Sequence, residues 1–249
     1  MSQTSNIQPL IEDLAKREQE QQIACEDCSL YRLCLPLGLH RDDLLLLDEI
    51  VMRSGNYQAK QSLFTATEAF STLFVVRSGS FKTMISTSNG REQVTGFYFP
   101  GEFVGLEALH MPSYQSSAVA LETSSICALP YQKVQALGEK LPRLQSQLLN
   151  RLSKELAGDK NFMLLLGKKT SEEKLATYLL SLSKRFELRG FSAKQFVLTM
   201  SRSDIANHLG LAVETISRVF TKFQDDGLIK TEGKVVSLAE IERLQALCG

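Results

Sequence analysis

An α+β fold with an N-terminal antiparallel β-roll, one long helix and a C-terminal winged helix-turn-helix is predicted by three observations. Short β-branched and aromatic runs punctuated by glycine fill the chain between about Leu39 and Tyr131, the pattern of strands joined by tight turns. An unbroken helical pattern runs from Pro142 to Leu166, and two short helical patterns separated by a glycine turn lie beyond Ser201. The 249 residues, 43% apolar and 22% charged, suffice for two ordinary domains with sizeable cores and exclude a disordered or collagen-like chain. Lys+Arg and Asp+Glu balance at 28 each, which excludes a polybasic coat protein but not a local basic patch. From Lys168 onward 13 Lys/Arg stand against 10 Asp/Glu, whereas Met1–His40 holds 3 against 6. No run approaches the ~20 apolar residues of a membrane span, and the polar, acidic start from Met1 to Gln22 has no basic-then-apolar secretory pattern. A cytoplasmic protein without membrane partners is expected.

Ahead of the roll, Cys25, Cys28 and Cys34 crowd into ten residues, with Cys127 and Cys248 far away. An odd number of cysteines in a reducing compartment argues against a disulfide framework. Two thiolates separated by two residues can wrap one metal centre, and a third, after five more, needs only a short loop to reach it. The fourth ligand must come from elsewhere. Cys127 lies in Ser125-Ile-Cys-Ala-Leu129 before Pro130, a strand-like stretch able to offer a rigid thiolate, while Cys248 reads as a bystander. Spacing alone leaves iron–sulfur and zinc open, and leaves open that Cys127 is a small core residue and the trio a zinc knot or an incidental cluster. His40, His110 and His208 lie far apart, so a mixed Cys/His zinc site has little support.

Within the roll, Leu73–Arg77, Ser80–Ile85 and Gln93–Tyr98 read as strands, and Ser88-Asn-Gly-Arg91 carries an Asn-Gly hairpin signal. Pro142 suits the first turn of the long helix, whose pattern runs to Leu166 and is followed by Gly167. At 1.5 Å per residue that helix is on the order of 35–40 Å long, too long for one small domain to cover. Leu149, Leu152, Leu156, Asp159, Met163 and Leu166 follow alternating steps of three and four, a coiled-coil seam with one carboxylate in it. In a symmetric parallel pair Asp159 faces its own copy, so two like charges are desolvated together or one is protonated. Such a dimer needs help, and a ligand or metal centre worth a few kcal/mol would tip it. The competing reading places Asp159 at a frayed end, pointing to water.

In the last third, Ser171–Leu188 reads as an amphipathic helix with Leu175, Tyr178, Leu179, Leu182 and Phe186 on one stripe. Ser201-Arg-Ser-Asp204 resembles a capping box, Gly210 ends the helix it opens, and a second helix runs from about Val213 to Asp225. Ile216, Val219, Phe220 and Phe223 share one face of it, and Glu214, Ser217, Arg218 and Lys222 another. Glu214, Ser217 and Arg218 gather near its N-terminus, where a recognition helix meets base edges in the major groove. A guanidinium suits guanine or phosphate, a carboxylate the cytosine amino group, and Val213 a thymine methyl. The blander reading is an i,i+4 ion pair between Glu214 and Arg218. Leu228-Ile-Lys230 and Lys234–Ser237 around the Glu232-Gly233 turn read as a two-stranded wing.

These features resemble the cyclic-AMP receptor/FNR superfamily of bacterial transcription regulators, and more narrowly its FNR (fumarate and nitrate reduction) branch. The cysteine trio with Cys127, Pro100-Gly-Glu-Phe-Val-Gly105 and Val213-Glu-Thr-Ile-Ser-Arg218 carry the resemblance, which covers Cys25 to about Ser237. It implies an N-terminal tail and cluster-binding loop (1–38), a β-roll sensor domain (39–140), a dimerisation helix (141–167) and a winged helix-turn-helix DNA-binding domain (168–249). It further implies an oxygen-sensing global regulator with one 4Fe-4S cluster per subunit on Cys25, Cys28, Cys34 and Cys127. With the cluster intact the homodimer binds DNA, and conversion to 2Fe-2S in oxygen gives the monomer. Ser29 and Leu33 match positions that tune oxygen access, and Asp159 the position of monomer–dimer control. Glu214, Ser217 and Arg218 match base-contacting residues, implying double-stranded DNA with TTGAT-like half-sites, read as activator or repressor. Val213 separates the chain from the cyclic-AMP branch, which has arginine there.

Two departures from relatives carry information. Where cyclic-AMP binders use a glutamate and an Arg-Ser pair, this chain has Leu106, Ser116 and Ser117. Without that guanidinium a buried phosphate lacks its counter-charge, so no cyclic nucleotide is expected. Arg91 makes the hairpin tip basic where relatives can carry an acidic residue touching RNA polymerase. An enzyme is not expected: Gly158–Thr170 fails as a phosphate loop, since Phe162 stands where the spacing needs glycine, and no zinc-protease or Ser/His elbow motif appears. The rival within regulation is the same fold with structural zinc or a nitric-oxide-responsive metal centre.

Overall fold

A computed structural model describes residues 23–36, 38–87 and 89–248, so Ser88 of the expected hairpin turn and the Met1–Gln22 stretch lie outside the described residues. A 3-10 turn, Tyr31–Leu33, precedes helix α1 (Arg41–Ile50). The roll follows as β1 (Met52–Tyr57), β2 (Ser62–Phe64), β3 (Thr72–Ser78), β4 (Phe81–Ser86), β5 (Glu92–Tyr98), β6 (Phe103–Val104), β7 (Ser117–Ala120) and β8 (Ser124–Pro130). Then come α2 (Tyr131–Lys140), α3 (Pro142–Lys168), α4 (Ser171–Glu187), β9 (Gln195–Val197), α5 (Arg202–His208), α6 (Val213–Asp225), β10 (Ile229–Glu232), β11 (Val235–Leu238) and α7 (Ile241–Ala246).

The roll is two antiparallel four-stranded sheets, ordered β1-β8-β3-β6 and β2-β7-β4-β5. Phe64, Val76, Phe81, Val104, Ala118 and Ile126 fill the space between them, and each large apolar side chain so buried contributes roughly 1.5–3 kcal/mol. Gly90 at φ +77° turns the β4–β5 hairpin, and the Thr87 N–H donates to the Arg91 carbonyl at 2.8 Å. A second core lies outside the first sheet, where Leu35, Leu39, Leu47, Val75, Leu129, Leu137 and Leu144 meet.

Helix α3 opens on Pro142 in its first turn, where the missing N–H costs nothing. It spans 27 residues, about 40 Å. Leu144 anchors one end in the roll-side core and Leu165 the other in the C-terminal core. The α4 stripe is buried at Leu175, Tyr178, Leu179 and Leu182, with Phe186 packed against the same core. Ser201 and Asp204 form the expected capping box, and Gly210 at φ +62° makes the turn into α6. The wing holds one strand more than its sequence suggests: β9 pairs with β11, giving the order β10-β11-β9. Three residues are too few to display strand alternation.

The Pro100–Gly105 turn binds the parts together. Glu102 accepts from Arg185 Nε at 3.0 Å and from Arg189 Nη2 at 2.6 Å, tying the roll to α4 and the segment after it. Gly101 sits at φ +86°, and a Cβ there would come within 2.8 Å of the Leu33 Cβ. Gly101→Ala is therefore expected to lower stability by about 1–3 kcal/mol, read as a drop in the thermal unfolding midpoint.

Candidate metal centre and nucleic-acid interface

The loop carrying three of the cysteines folds back over the outer face of the first sheet. Cys25, Cys28, Cys34 and Cys127 line one cavity with Leu30, Tyr31, Leu47, Val75 and Leu129 among its walls. Register explains how Cys127 gets there, since on β8 it lies opposite Arg53 of β1 and Val75 of β3. Cys25 is clamped from two elements. Its N–H donates to Asp48 Oδ1 of α1 at 2.9 Å, and Arg53 Nη2 approaches its Sγ at 3.7 Å, while Arg53 and Asp48 form an ion pair. Burial alone would raise the Asp48 carboxyl, but the Cys25 N–H and the Arg53 guanidinium outweigh it and hold the group below the usual carboxylate range. Burial pushes the Cys34 thiol up to about 12 and raises those of Cys25 and Cys127, so without a metal these sulfurs hold their protons near neutrality.

The donors fit a metal centre in kind: four soft thiols on apolar walls. Among the described residues no three His, Cys, Asp or Glu side chains are gathered closely enough to hold a metal ion. The cavity the four cysteines share is small, about 30 Å³, and walled by apolar side chains. Ser29 is exposed and Leu33 half-buried, Leu33 packing on Gly101.

The loop rests on α3. Leu35, 1% exposed, packs with Leu144, and Leu148 and Leu152 adjoin the same core. Arg151 Nη2 of α3 donates to the Cys34 carbonyl at 3.1 Å, and Arg143 Nη1 to the Gly38 carbonyl at 3.2 Å. Of the seam residues, Leu149, Leu156 and Met163 are 66%, 58% and 64% exposed, an apolar row seven residues apart. Leu152 and Leu166 instead adjoin the two cores. Asp159 is exposed. The desolvated carboxylate is Glu155, pushed up to about 7 by burial and by Glu107, Asp159 and Glu102.

On α6, Ile216, Val219, Phe220 and Phe223 are buried, whereas Val213, Glu214, Ser217 and Arg218 are exposed. Arg218 Nη2 donates to Thr215 Oγ1 at 3.3 Å, and among the described residues no ion pair joins it to Glu214. Ser217 Oγ donates to the Val213 carbonyl at 2.9 Å. The four side chains thus form one outward face at the helix N-terminus. Asp48, Arg53, Arg151 and Glu155 were invisible to sequence reasoning, because no local spacing marks them.

Residues 173–247 match the Crp-like helix-turn-helix domain family and residues 55–140 the cyclic nucleotide-binding domain family. The chain is 50% identical over 228 residues to the transcriptional activator protein Anr of Pseudomonas aeruginosa, covering 92% of this chain and 93% of that one. It is 42% identical over 227 residues to the fumarate and nitrate reduction regulatory protein of Escherichia coli, covering 91% of each. Among solved structures it resembles FixK2 from Bradyrhizobium japonicum, with a TM-score of 0.74 and 27% identity over 80% of this chain and 98% of that one.

Glu155 generates a pH dependence. The folded chain keeps a proton that the unfolded chain releases from about pH 4.5 upward, so stability falls as pH rises through about 7, by roughly 2–3 kcal/mol in all. Because His208, held down at about 4, contributes with the opposite sign below about pH 6.5, the test is the difference between two proteins: in urea unfolding from about pH 5 to 8 the parent is expected to lose stability relative to Glu155→Gln as pH rises to about 7.

Proposed function

Because this chain belongs to the FNR and Anr group of the Crp/Fnr transcription regulators, we propose that it is an oxygen-sensing global regulator that reads DNA as a homodimer under anaerobic conditions. It is a DNA-binding protein, not an enzyme, and no described helix is long and apolar enough to cross a membrane. Cys25, Cys28, Cys34 and Cys127 would hold one 4Fe-4S cluster per subunit, whose lability to oxygen supplies the signal. One observation carries this reading: the four thiols line a single cavity, and the loop bearing three of them lies directly on α3 through Leu35 and the Arg151–Cys34 bond. A shift of that loop therefore has a mechanical path to the dimer seam.

Along the seam, Leu149, Leu156 and Met163 supply apolar area, and Asp159 opposes close approach of a second copy. The dimer is held near balance by design of that row, with the monomer the form in oxygen. Two copies of the Val213, Glu214, Ser217 and Arg218 face then meet TTGAT-like half-sites one helical turn apart. RNA polymerase is the further partner, and Arg91 at the hairpin tip departs from the acidic residue that relatives can carry at this contact. No cyclic nucleotide is assigned: Leu106 is buried, Ser116 Oγ donates to Glu107 Oε1 at 2.5 Å and Ser117 Oγ accepts from the Ala66 N–H at 2.9 Å, so these positions offer no guanidinium to a phosphate.

Protein purified without oxygen is expected to be brown and to bleach in air, while Cys127→Ala stays colourless, sediments as a monomer and loses operator binding. Colourless parent protein with stoichiometric zinc would replace the oxygen reading with the structural-zinc one. Asp159→Ala is expected to sediment as a dimer in air; a monomer would remove charge repulsion as the control at this seam.

A further inference from the structure

Strand β5 is an edge of the sheet β2-β7-β4-β5, and an edge strand presents backbone N–H and C=O groups that need partners. Two consecutive residues of the helix-turn-helix supply them. Asn207 Nδ2 donates to the Glu92 carbonyl at 2.7 Å, and the Val94 N–H donates to Asn207 Oδ1 at 2.5 Å. A carboxamide that gives to one residue and takes from the second residue along mimics the pairing of another strand. Gln93 Nε2 returns a bond to the Asn207 carbonyl at 2.6 Å. His208 Nδ1 lies 3.1 Å from the Val94 carbonyl; a carbonyl only accepts, so this nitrogen carries the proton. Burial holds the imidazole down at about 4, which keeps the ring neutral. That ring stacks on Phe162 of α3, centroids 4.3 Å apart at 17°, and meets Phe97 of β5 edge-on at 5.0 Å. Lys82 of β4 adds an ion pair with Asp204 of α5 at 2.6 Å.

We propose that Asn207 and His208 are a clasp that docks the helix-turn-helix onto the edge of β5 and onto α3, fixing the orientation in which a dimer presents its two α6 helices to DNA. Both are positioning residues, lying on α5 rather than on the reading face of α6. The inference rests on the dimeric DNA reading above and extends it: half-sites on a duplex have a fixed separation and phase, so loosely held heads must surrender orientational freedom on binding.

Asn207→Asp tests the clasp, because it keeps an acceptor for Val94 but sets an anion against the Glu92 carbonyl. In full-length protein prepared without oxygen, this variant is expected to bind a duplex with two TTGAT half-sites about tenfold more weakly and to sediment as the same dimer. It should also lose preference among duplexes whose half-sites are moved one or two base pairs apart, and show faster amide exchange at Val94. Gln93→Ala, which removes the bonds from Gln93 Nε2 to the Asn207 and Val94 carbonyls and leaves those of the Asn207 carboxamide, should move each reading the same way by less. A variant dimer with the parent's affinity, spacing preference and exchange overturns the proposal. Loss of the dimer itself also overturns it, since Asn207 would then serve folding or association. If the parent does not bind the duplex, the DNA-site reading fails separately, and Val94 exchange alone decides for or against the clasp.

Discussion

Leu35 and the Cys34 carbonyl rest on helix α3, and the rest of the architecture is arranged around that contact. Leu35 is buried in the same core as Leu144, and Arg151 reaches from α3 to hold the backbone of a cysteine-bearing residue. Neighbouring parts constrain the same loop: Leu33 lies against Gly101, and Cys25 is clamped by Asp48 and Arg53. A packed core does not deform continuously, so a displaced loop must alter how α3 is seated.

Helix α3 can carry such a change because it is one rigid rod with an end in each core, Leu144 in the roll-side core and Leu165 in the C-terminal one. Phe162 on the same rod stacks on His208 of α5. The cysteine loop, the apolar row of Leu149, Leu156 and Met163, and the helix-turn-helix are therefore connected through contacts to a single element. The structure supplies contiguity between these sites, which is a physical precondition for coupling them.

Much of this was legible in the sequence where chemistry is local. The Ser201–Asp204 box, Gly210 and the split faces of α6 identify the helix-turn-helix because capping and turn conformation are decided within a few residues. The cysteine trio showed itself by spacing. The clamp on Cys25 did not, since Asp48 is 23 positions away and Arg151 is 117 positions from Cys34, and only the fold creates those pairs. Strands β2 and β9, three residues each, are too short to carry a period. The seam pattern found Asp159 but not Glu155, because a heptad describes the face turned to a partner and says nothing of the face turned to the roll.

The join between β5 and α5 also governs what happens when the two domains part. Asn207 and His208 cover the Glu92 carbonyl and both backbone groups of Val94, and swinging the helix-turn-helix away would bare them beside the apolar surface of Phe97. A stretch of uncovered strand is a template for pairing with other chains. Domain opening in this molecule thus carries a solubility hazard at the β4–β5 hairpin, separate from the apolar row on α3.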